Sequence, residues 1–450
     1  MSYLPPNLQI AAKQMSNYTR NRFRLETSST KNELKAGDVI TCNLPENALL
    51  DMKSFRLIGN ASSTVKDTSN ISMFPAGLES LVGSCEIFIN GVQVQSTTQY
   101  NTLARILKIG RDSNDRNNST ANILAKSHIV DVGDAPQSAT APDFNFCIDK
   151  WIGFLNECSS RFLPTDLLGQ ISLKITLAPN SVMIPFRKES SHGYTLDPSN
   201  PEVTLADLNY TLKDVHFTID SLVVDPIYSQ ALRQQLISSE DAIAINYKDY
   251  YTFQMNAVGT SYQNRFALSS GSIDKMYATQ RKSTYANGLK AQLRRSAVVG
   301  ADKHVGSYFV FEALTNSGAD ADPYSGKPDD FRYQWKINNI AHPQYRAQLI
   351  EAAADLAYVN DKCSQDSNGI LPHDMTDFKE TSCVIPLVLN HPETPISVRS
   401  GYNSMGINSV MVFDATGVKE NPATGLESTV VVEVTSQLRV AQGKSLGVSH

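Results

Sequence analysis

The strongest constraint in this sequence is an alternation of period two. In Ile171-Ser172-Leu173-Lys174-Ile175-Thr176-Leu177 every odd position is aliphatic and every even one polar. Successive side chains of an extended chain point to opposite faces, so this segment is predicted as a half-buried strand. Cys85, Ile87 and Ile89 repeat the pattern and run into Asn90-Gly91, followed by Val92 and Val94. Asn-Gly accepts the positive φ angles of a type I′ turn, which predicts a tight hairpin over 84–96. Val215, Phe217 and Ile219 alternate with His216, Thr218 and Asp220, and Val430, Val432 and Val434 alternate near the C-terminus.

Helical spacing is scarce. Asp225-Pro226 supplies a cap and a first-turn proline, and Tyr228, Leu232 and Leu236 then fall four residues apart, predicting a helix over 226–239. A second stripe of Tyr345, Leu349, Ala352, Leu356 and Val359 predicts a helix over 343–359, starting at Pro343. Long polar stretches without periodicity occupy 110–145 and 316–332, and loops of that length are usually functional or interaction surfaces. Short strands, few helices and long insertions predict an all-β sandwich architecture. A chain of 450 residues exceeds one small domain. The expected division is a basic arm at 1–25, a first sandwich at 26–225, the linking helix at 226–239 and a second sandwich at 240–450, with a helical insertion near 343–359.

Composition and motifs narrow the function. With 41% hydrophobic and 19% charged residues the chain is of the folded globular class, and a net charge of −5 gives no overall basic field. No apolar run reaches the length of a membrane-spanning helix, since Cys383–Leu389 is interrupted by Pro386. The N-terminus lacks the charged-then-apolar layout of a signal peptide, so secretion is not expected. Six dispersed cysteines without a CxxC are expected as free thiols rather than disulfides or a zinc site. The eight histidines form no HExxH or HxH, and GxSxG is absent. Gly443-Lys444-Ser445 has the ending of a P-loop, but Leu438 stands where that motif needs glycine. The acidic stretch at 320–330 lacks EF-hand spacing and reads as a solvated loop. No catalytic residue, metal ligand or cofactor is therefore expected.

Two basic segments remain. Lys13, Arg20, Arg22 and Arg24 precede the first acid, Glu26. Lys275, Arg281, Lys282, Lys290, Arg294 and Arg295 form a second, weaker segment interleaved with Tyr277 and Tyr285. Clustered guanidinium groups can displace counterions from phosphate. Solvated surface charge or a subunit contact is the simpler account, more so for the second segment.

The order of elements resembles that of double jelly-roll major capsid proteins of the adenovirus–tectivirus lineage, especially those of Polinton-like viruses, adintoviruses and virophages. The resemblance is carried by Leu78–Gly91 with its polar hairpin, and by the following tyrosine-led segment Tyr100–Leu107. Further on it is carried by Phe162-Leu163-Pro164 through Gly169, the strand Ile171–Leu177 and the exit Ala178-Pro179-Asn180. Tyr250–Met255, Ser272–Ala278 and Ser428–Val434 match the second half in character, while 343–359 has no counterpart in the common pattern. The resemblance implies two consecutive eight-stranded antiparallel jelly rolls with a few short helices and long loops. It implies a structural capsid protein of the virion, assembled in the host cytoplasm or nucleus as a homotrimer. Neighbouring capsomers, penton and minor capsid proteins would be its partners, with genome or an internal membrane on the inner face. The basic arm carrying Lys13, Arg20, Arg22 and Arg24 would lie on that inner face and become ordered only in the shell. The competing reading is a two-domain β-sandwich binding protein, adhesin- or lectin-like, against which the expected free thiols count. An oxygenase on a jelly-roll scaffold would need a close His-x-His with a carboxylate, which this sequence lacks.

Overall fold

A computed structural model describes residues 18–28, 31–63, 70–75, 77–109, 129–130, 143–189, 193–195, 209–224, 243–283, 293–295, 302–305, 308–313, 330–359, 378–379, 382–391, 395–407, 409–418, 425–441 and 445–450. The first half begins with β1 (Tyr18–Glu26), β2 (Glu33–Lys35), β3 (Val39–Asn43), β4 (Leu49–Ser63) and β5 (Asn70–Pro75). It continues with β6 (Val82–Ile89), β7 (Val92–Thr98), helix α1 (Tyr100–Ile109), β8 (Ile129–Val130), β9 (Asp143–Ile148) and β10 (Phe162–Pro164). It closes with β11 (Ile171–Leu177), β12 (Ile184–Glu189), β13 (Gly193–Thr195) and β14 (Tyr210–Val224). The second half opens with β15 (Ile243–Ala257), β16 (Ser261–Ala267), β17 (Ile273–Lys282), β18 (Leu293–Arg295) and β19 (Asp302–Val305). Then come β20 (Arg332–Ile337), β21 (Ile340–Ala347), α2 (Leu349–Val359), β22 (Val384–Val388), β23 (Val410–Thr416), β24 (Leu426–Ala441) and β25 (Ser445–Ser449).

In the first half a sheet ordered β1-β14-β4-β10, joined by β2 and β9, accompanies the four-stranded sheet β3-β11-β6-β7 and a smaller one, β13-β12-β5-β8. In the second half β15-β24-β17-β22, extended by β25, accompanies β16-β23-β20-β21. The result is the all-β double jelly-roll fold, its larger sheets widened by extra edge strands. Every sheet draws its strands from one side of 225–242. The joint between halves is a seam rather than a ladder. Its isolated bridge pairs Cys158 with Tyr247. Around it the Tyr247 hydroxyl donates to the Val94 carbonyl at 2.7 Å, and the Tyr250 hydroxyl to Glu157 Oε2 at 2.9 Å.

The alternation does what its period requires. Ile171, Leu173, Ile175 and Leu177 are all buried, with Leu173 paired to Cys42 on one side and Ile87 on the other. Asn90 (φ 49°) and Gly91 (φ 81°) form the turn between β6 and β7, where the left-handed region favours these two residues. Aromatic side chains fill the interiors: Phe55 stacks on Phe217 at 5.2 Å in the first half, Phe253 on Phe266 at 4.6 Å in the second.

Three expectations need correction. Residues 18–25 are not a free arm: β1 pairs along its whole length with β14, from Tyr18↔Val224 to Glu26↔His216. The segment from Pro343 to Ala347 is strand, because pairing with β20 overrides its helical spacing; the helix begins at Leu349, and Leu349, Ala352, Leu356 and Val359 are its buried stripe. The strand around Val430–Val434 is not half-exposed, since both its faces are covered and Val431 and Glu433 are buried as well. The helix expected over 226–239 lies outside the described residues, as does most of 110–145 and 316–332.

Candidate functional site

The strand β1 puts Arg20, Arg22 and Arg24 on one face, two residues apart. Arg22 stands opposite Asp220 of β14, and Asp220 stands opposite Asp51 of β4, next to a register shift between Thr218 and Asp220. Two carboxylates directly opposite each other repel. Here both are covered, with side chains 4% and 2% exposed for Asp51 and Asp220. Three arginines from two parts of the chain, two on β1 and one just before β10, converge on them. Arg20 Nη2 lies 2.5 Å from Asp220 Oδ2 and 3.4 Å from Asp51 Oδ2, and Arg22 Nε lies 2.7 Å from Asp220 Oδ1. Arg161 grips Asp51 through Nε at 3.0 Å and Nη2 at 2.8 Å, the bidentate geometry guanidinium favours. The Ser54 hydroxyl ties the two strands, donating to the Asp51 carbonyl at 2.6 Å and accepting from the Asp220 N–H at 2.8 Å. Burial pushes the Asp220 carboxyl up, but the hydrogen bond from Arg22 and the charges of Arg20 and Arg22 outweigh it and hold the carboxyl below its usual value.

Arg20 and Arg22 remain about half exposed beyond their carboxylates, so the cluster is a surface feature with a buried acidic floor. Arg24 pairs with exposed Glu26 at 2.7 Å, a contact of little energetic weight. Lys13 lies outside the described residues. The sequence alone missed Arg161, whose only cue is a basic residue just before β10.

Beyond Lys275, the described basic side chains of the second segment are Arg281 and Lys282. Arg281 is buried: its Nε donates to Glu427 at 2.9 Å, its Nη1 to the Tyr308 carbonyl at 2.8 Å, and its guanidinium lies 4.1 Å from the Tyr308 ring centre. Lys282 pairs with buried Glu312 at 3.4 Å. Arg294 and Arg295 lie on β18, paired with His304 and Asp302 of β19, while Lys290 is outside the described residues. The structure thus brings Arg20 and Arg22 together with Arg161, and gives Arg281 and Lys282 separate acidic partners, Glu427 and Glu312.

A further polar cluster was not foreseen. Half-buried Lys248 bridges the buried carboxylates of Asp274 at 2.5 Å and Glu433 at 3.0 Å within the second half. Among the described residues no group of three or more His, Cys, Asp or Glu is arranged to hold a metal ion.

No protein-family profile and no curated protein sequence matches the chain. Solved structures do. The PBCV-1 virus capsid, in its quasi-atomic model, is similar over 96% of this chain and 97% of its own, with a TM-score of 0.61 at 10% identity. The crystal structure of PBCV-1 VP54, fitted into a reconstruction of the virophage Sputnik, has the same TM-score and coverage at 11% identity. The Faustovirus major capsid protein is similar over 94% of this chain and 90% of its own, with a TM-score of 0.58 at 9% identity. At such identities the likeness is one of fold, and it extends through both halves.

Proposed function

We propose that this chain is a structural major capsid protein, not an enzyme, whose copies associate as trimeric pseudo-hexagonal capsomers and tile an icosahedral shell around a genome. The observation that carries the reading is the likeness of both consecutive sandwiches, over 94–96% of the chain, to viral capsid proteins. Two similar sandwiches per chain make six lobes in a closed trimer, in which the first half of one copy meets the second half of the next. Neighbouring capsomers, penton and minor capsid proteins are the partners of such a capsomer, the virion is its location, and assembly takes place in the host cytoplasm or nucleus.

Within this reading the arginine-bearing face of β1, with Lys13 before it, faces the shell interior or a neighbouring subunit. Phosphate would meet Arg20 and Arg22 only on the side away from Asp51 and Asp220, so Arg24, paired with exposed Glu26, is the freer contact of the three for genome or headgroups. Size-exclusion chromatography with light scattering tests the trimer: a trimeric mass is expected, and a stable monomer would favour the binding-protein reading. Limited proteolysis of capsomers and of sealed particles tests the orientation. Protection of the segment before Tyr18 in particles only is expected, and equal cleavage in both would put that segment outside.

A further inference from the structure

We propose that Asp249 of β15 and His450, which follows β25, form a proton-controlled latch that closes β25 onto the second sandwich and lets it go in alkaline solution. Asp249 is a buried carboxylate on the same face of β15 as Tyr251 and Phe253, and Phe253 stacks on Phe266 of the facing sheet. It therefore points into the sandwich, toward its register partner Val434. Its hydrogen bonds are the Tyr250 N–H at 2.9 Å and the Tyr251 hydroxyl. The His450 ring lies beside it, with Nδ1 3.6 Å from Asp249 Oδ2. The neighbouring Lys248 serves Asp274 and Glu433 on the opposite face of the strand.

The strand that carries His450 is lightly held. β25 pairs with the end of β24, from Gln437↔Ser449 to Ala441↔Ser445, beyond the reach of β17, and its Leu446 and Val448 are only half-buried. Its far end is clamped by Arg399, which donates to the Ser449 carbonyl at 3.1 Å and to the Ser449 hydroxyl at 3.2 Å. The Gly271 N–H donates to the His450 carbonyl at 2.8 Å, Ser436 Oγ lies 3.1 Å from His450 Nδ1, and the His450 ring meets the Tyr251 ring edge-on. The titratable and charged groups around the pair are thus Tyr247 and Tyr251 from β15 and Arg399 from the 395–400 segment, with Arg439 of β24 and Asp274 of β17 acting on Arg399.

Burial pushes the Asp249 carboxyl up to about 7, against the pull of the Tyr250 and Tyr251 hydrogen bonds. Burial and the charge of Arg399 lower the His450 ring below its usual value. Below neutrality the closed pair therefore holds its proton on Asp249. An acid whose value is raised in the closed state contributes closure that is fully present below the ordinary aspartate range, falls as pH rises from there, and is lost once pH has passed the raised value of about 7. Above neutrality Asp249 ionises beside an imidazole that is already neutral, and opening β25 admits water to the carboxylate. The lowered imidazole works in the opposite sense below its own value and softens the acid end of the profile.

Hydrogen exchange of the full chain tests the latch. Corrected for intrinsic rates, protection of the amides in 445–449 should fall at least about tenfold between about pH 6 and about pH 8.5, while the β15–β24 ladder stays protected. Asp249→Asn, neutral at every pH, should hold protection level across that range, and His450→Ala should lower it already at the acid end. A flat profile in the unsubstituted chain, or the same titration in D249N, overturns the proposal. Should D249N not fold, infrared difference spectra of the unsubstituted chain decide. A protonated aspartic acid band that disappears across the same range is expected, and its absence overturns the proposal.

Discussion

The two sandwiches share an architecture and differ in how their central strands run. In the first, the long strands β14 and β4 pair with register shifts between Lys213 and His216 and between Thr218 and Asp220. In the second, the fifteen-residue β15 pairs with β24 without a shift, from Ile243↔Val440 to Ala257↔Leu426. An irregularity twists a strand and re-aims its side chains. At the second shift it places Asp220 beside Asp51, where half-exposed arginines cover them. In the second sandwich the irregularity lies on the other edge of β24, between Ile273 and Lys275 of β17, and places Asp274 beside Glu433. Both faces of β24 are covered from Ser428 to Ser436, so buried Glu433 and the half-buried Glu427 next to that stretch take cations from their own sandwich, which Lys248 and Arg281 supply. Charge sits at the rim of one sandwich and in the body of the other. The exposed large apolar residues differ as well: among the described residues four belong to the first half and nine to the second, including Ile340, Tyr345, Met405 and Ile407. The second sandwich thus offers more of the surface that subunit contacts use.

The two cores are where a single substitution does most damage. Leu173→Asp in the first sandwich and Val432→Asp in the second each bury an unpaired carboxylate, costing several kcal/mol, comparable with the stability of a domain. Each chain should be insoluble or lack near-ultraviolet circular dichroism. Normal soluble yield of L173D would show that its face is not core. Arg281→Ala comes next. It leaves Glu427 without its cation, and about 3–5 kcal/mol should disappear from the denaturant-derived stability. Arg22→Ala, at the wet rim, should cost far less, and equal losses would erase the distinction between rim and body.

Tyr250→Phe removes the seam bond to Glu157, and about 1.5–3 kcal/mol is expected for a hydrogen bond to a charged group. If calorimetry then resolves two transitions where the unsubstituted chain has one, the seam couples the sandwiches. The smallest effect is local. Because the Asp220 carboxyl is held below its usual value, its stabilising share is present above the ordinary aspartate range and lost as pH falls through the lowered value. Exchange in β1 should therefore rise in acid and not in D220N, the reverse of the behaviour expected at β25.

Strand periods were legible wherever one face is apolar and the other wet, as in Ile171–Leu177 and the Asn90-Gly91 hairpin. The N-terminal strand shows why the arginines misled. Arg20, Arg22 and Arg24 do alternate with Asn21, Phe23 and Leu25, yet three like charges without an acid read as an arm until the distant Asp51 and Asp220 are placed beside them. Arg281 hid its role in the same way, since Glu427 lies far along the chain and the burial comes from Tyr308 and Glu312 segments of no periodicity. The helix expected at Pro343 failed because residues 343–347 have both periods available and edge pairing chose one. Asp249 carries no sequence signature at all: a carboxylate inside a sandwich becomes visible only when the neighbouring strand and His450 are in place.

The unbroken β15–β24 pairing also has a mechanical meaning. Antiparallel hydrogen bonds lie across the strand direction, so a pull along β15 loads all of them at once, as rivets in a lap joint share a shearing force. The hairpin from β24 to β25 is arranged for the other regime, in which a force lifting β25 opens its few rungs one after another. One sheet thus contains a stiff tie, anchored near the seam at Tyr247, and a tab that peels.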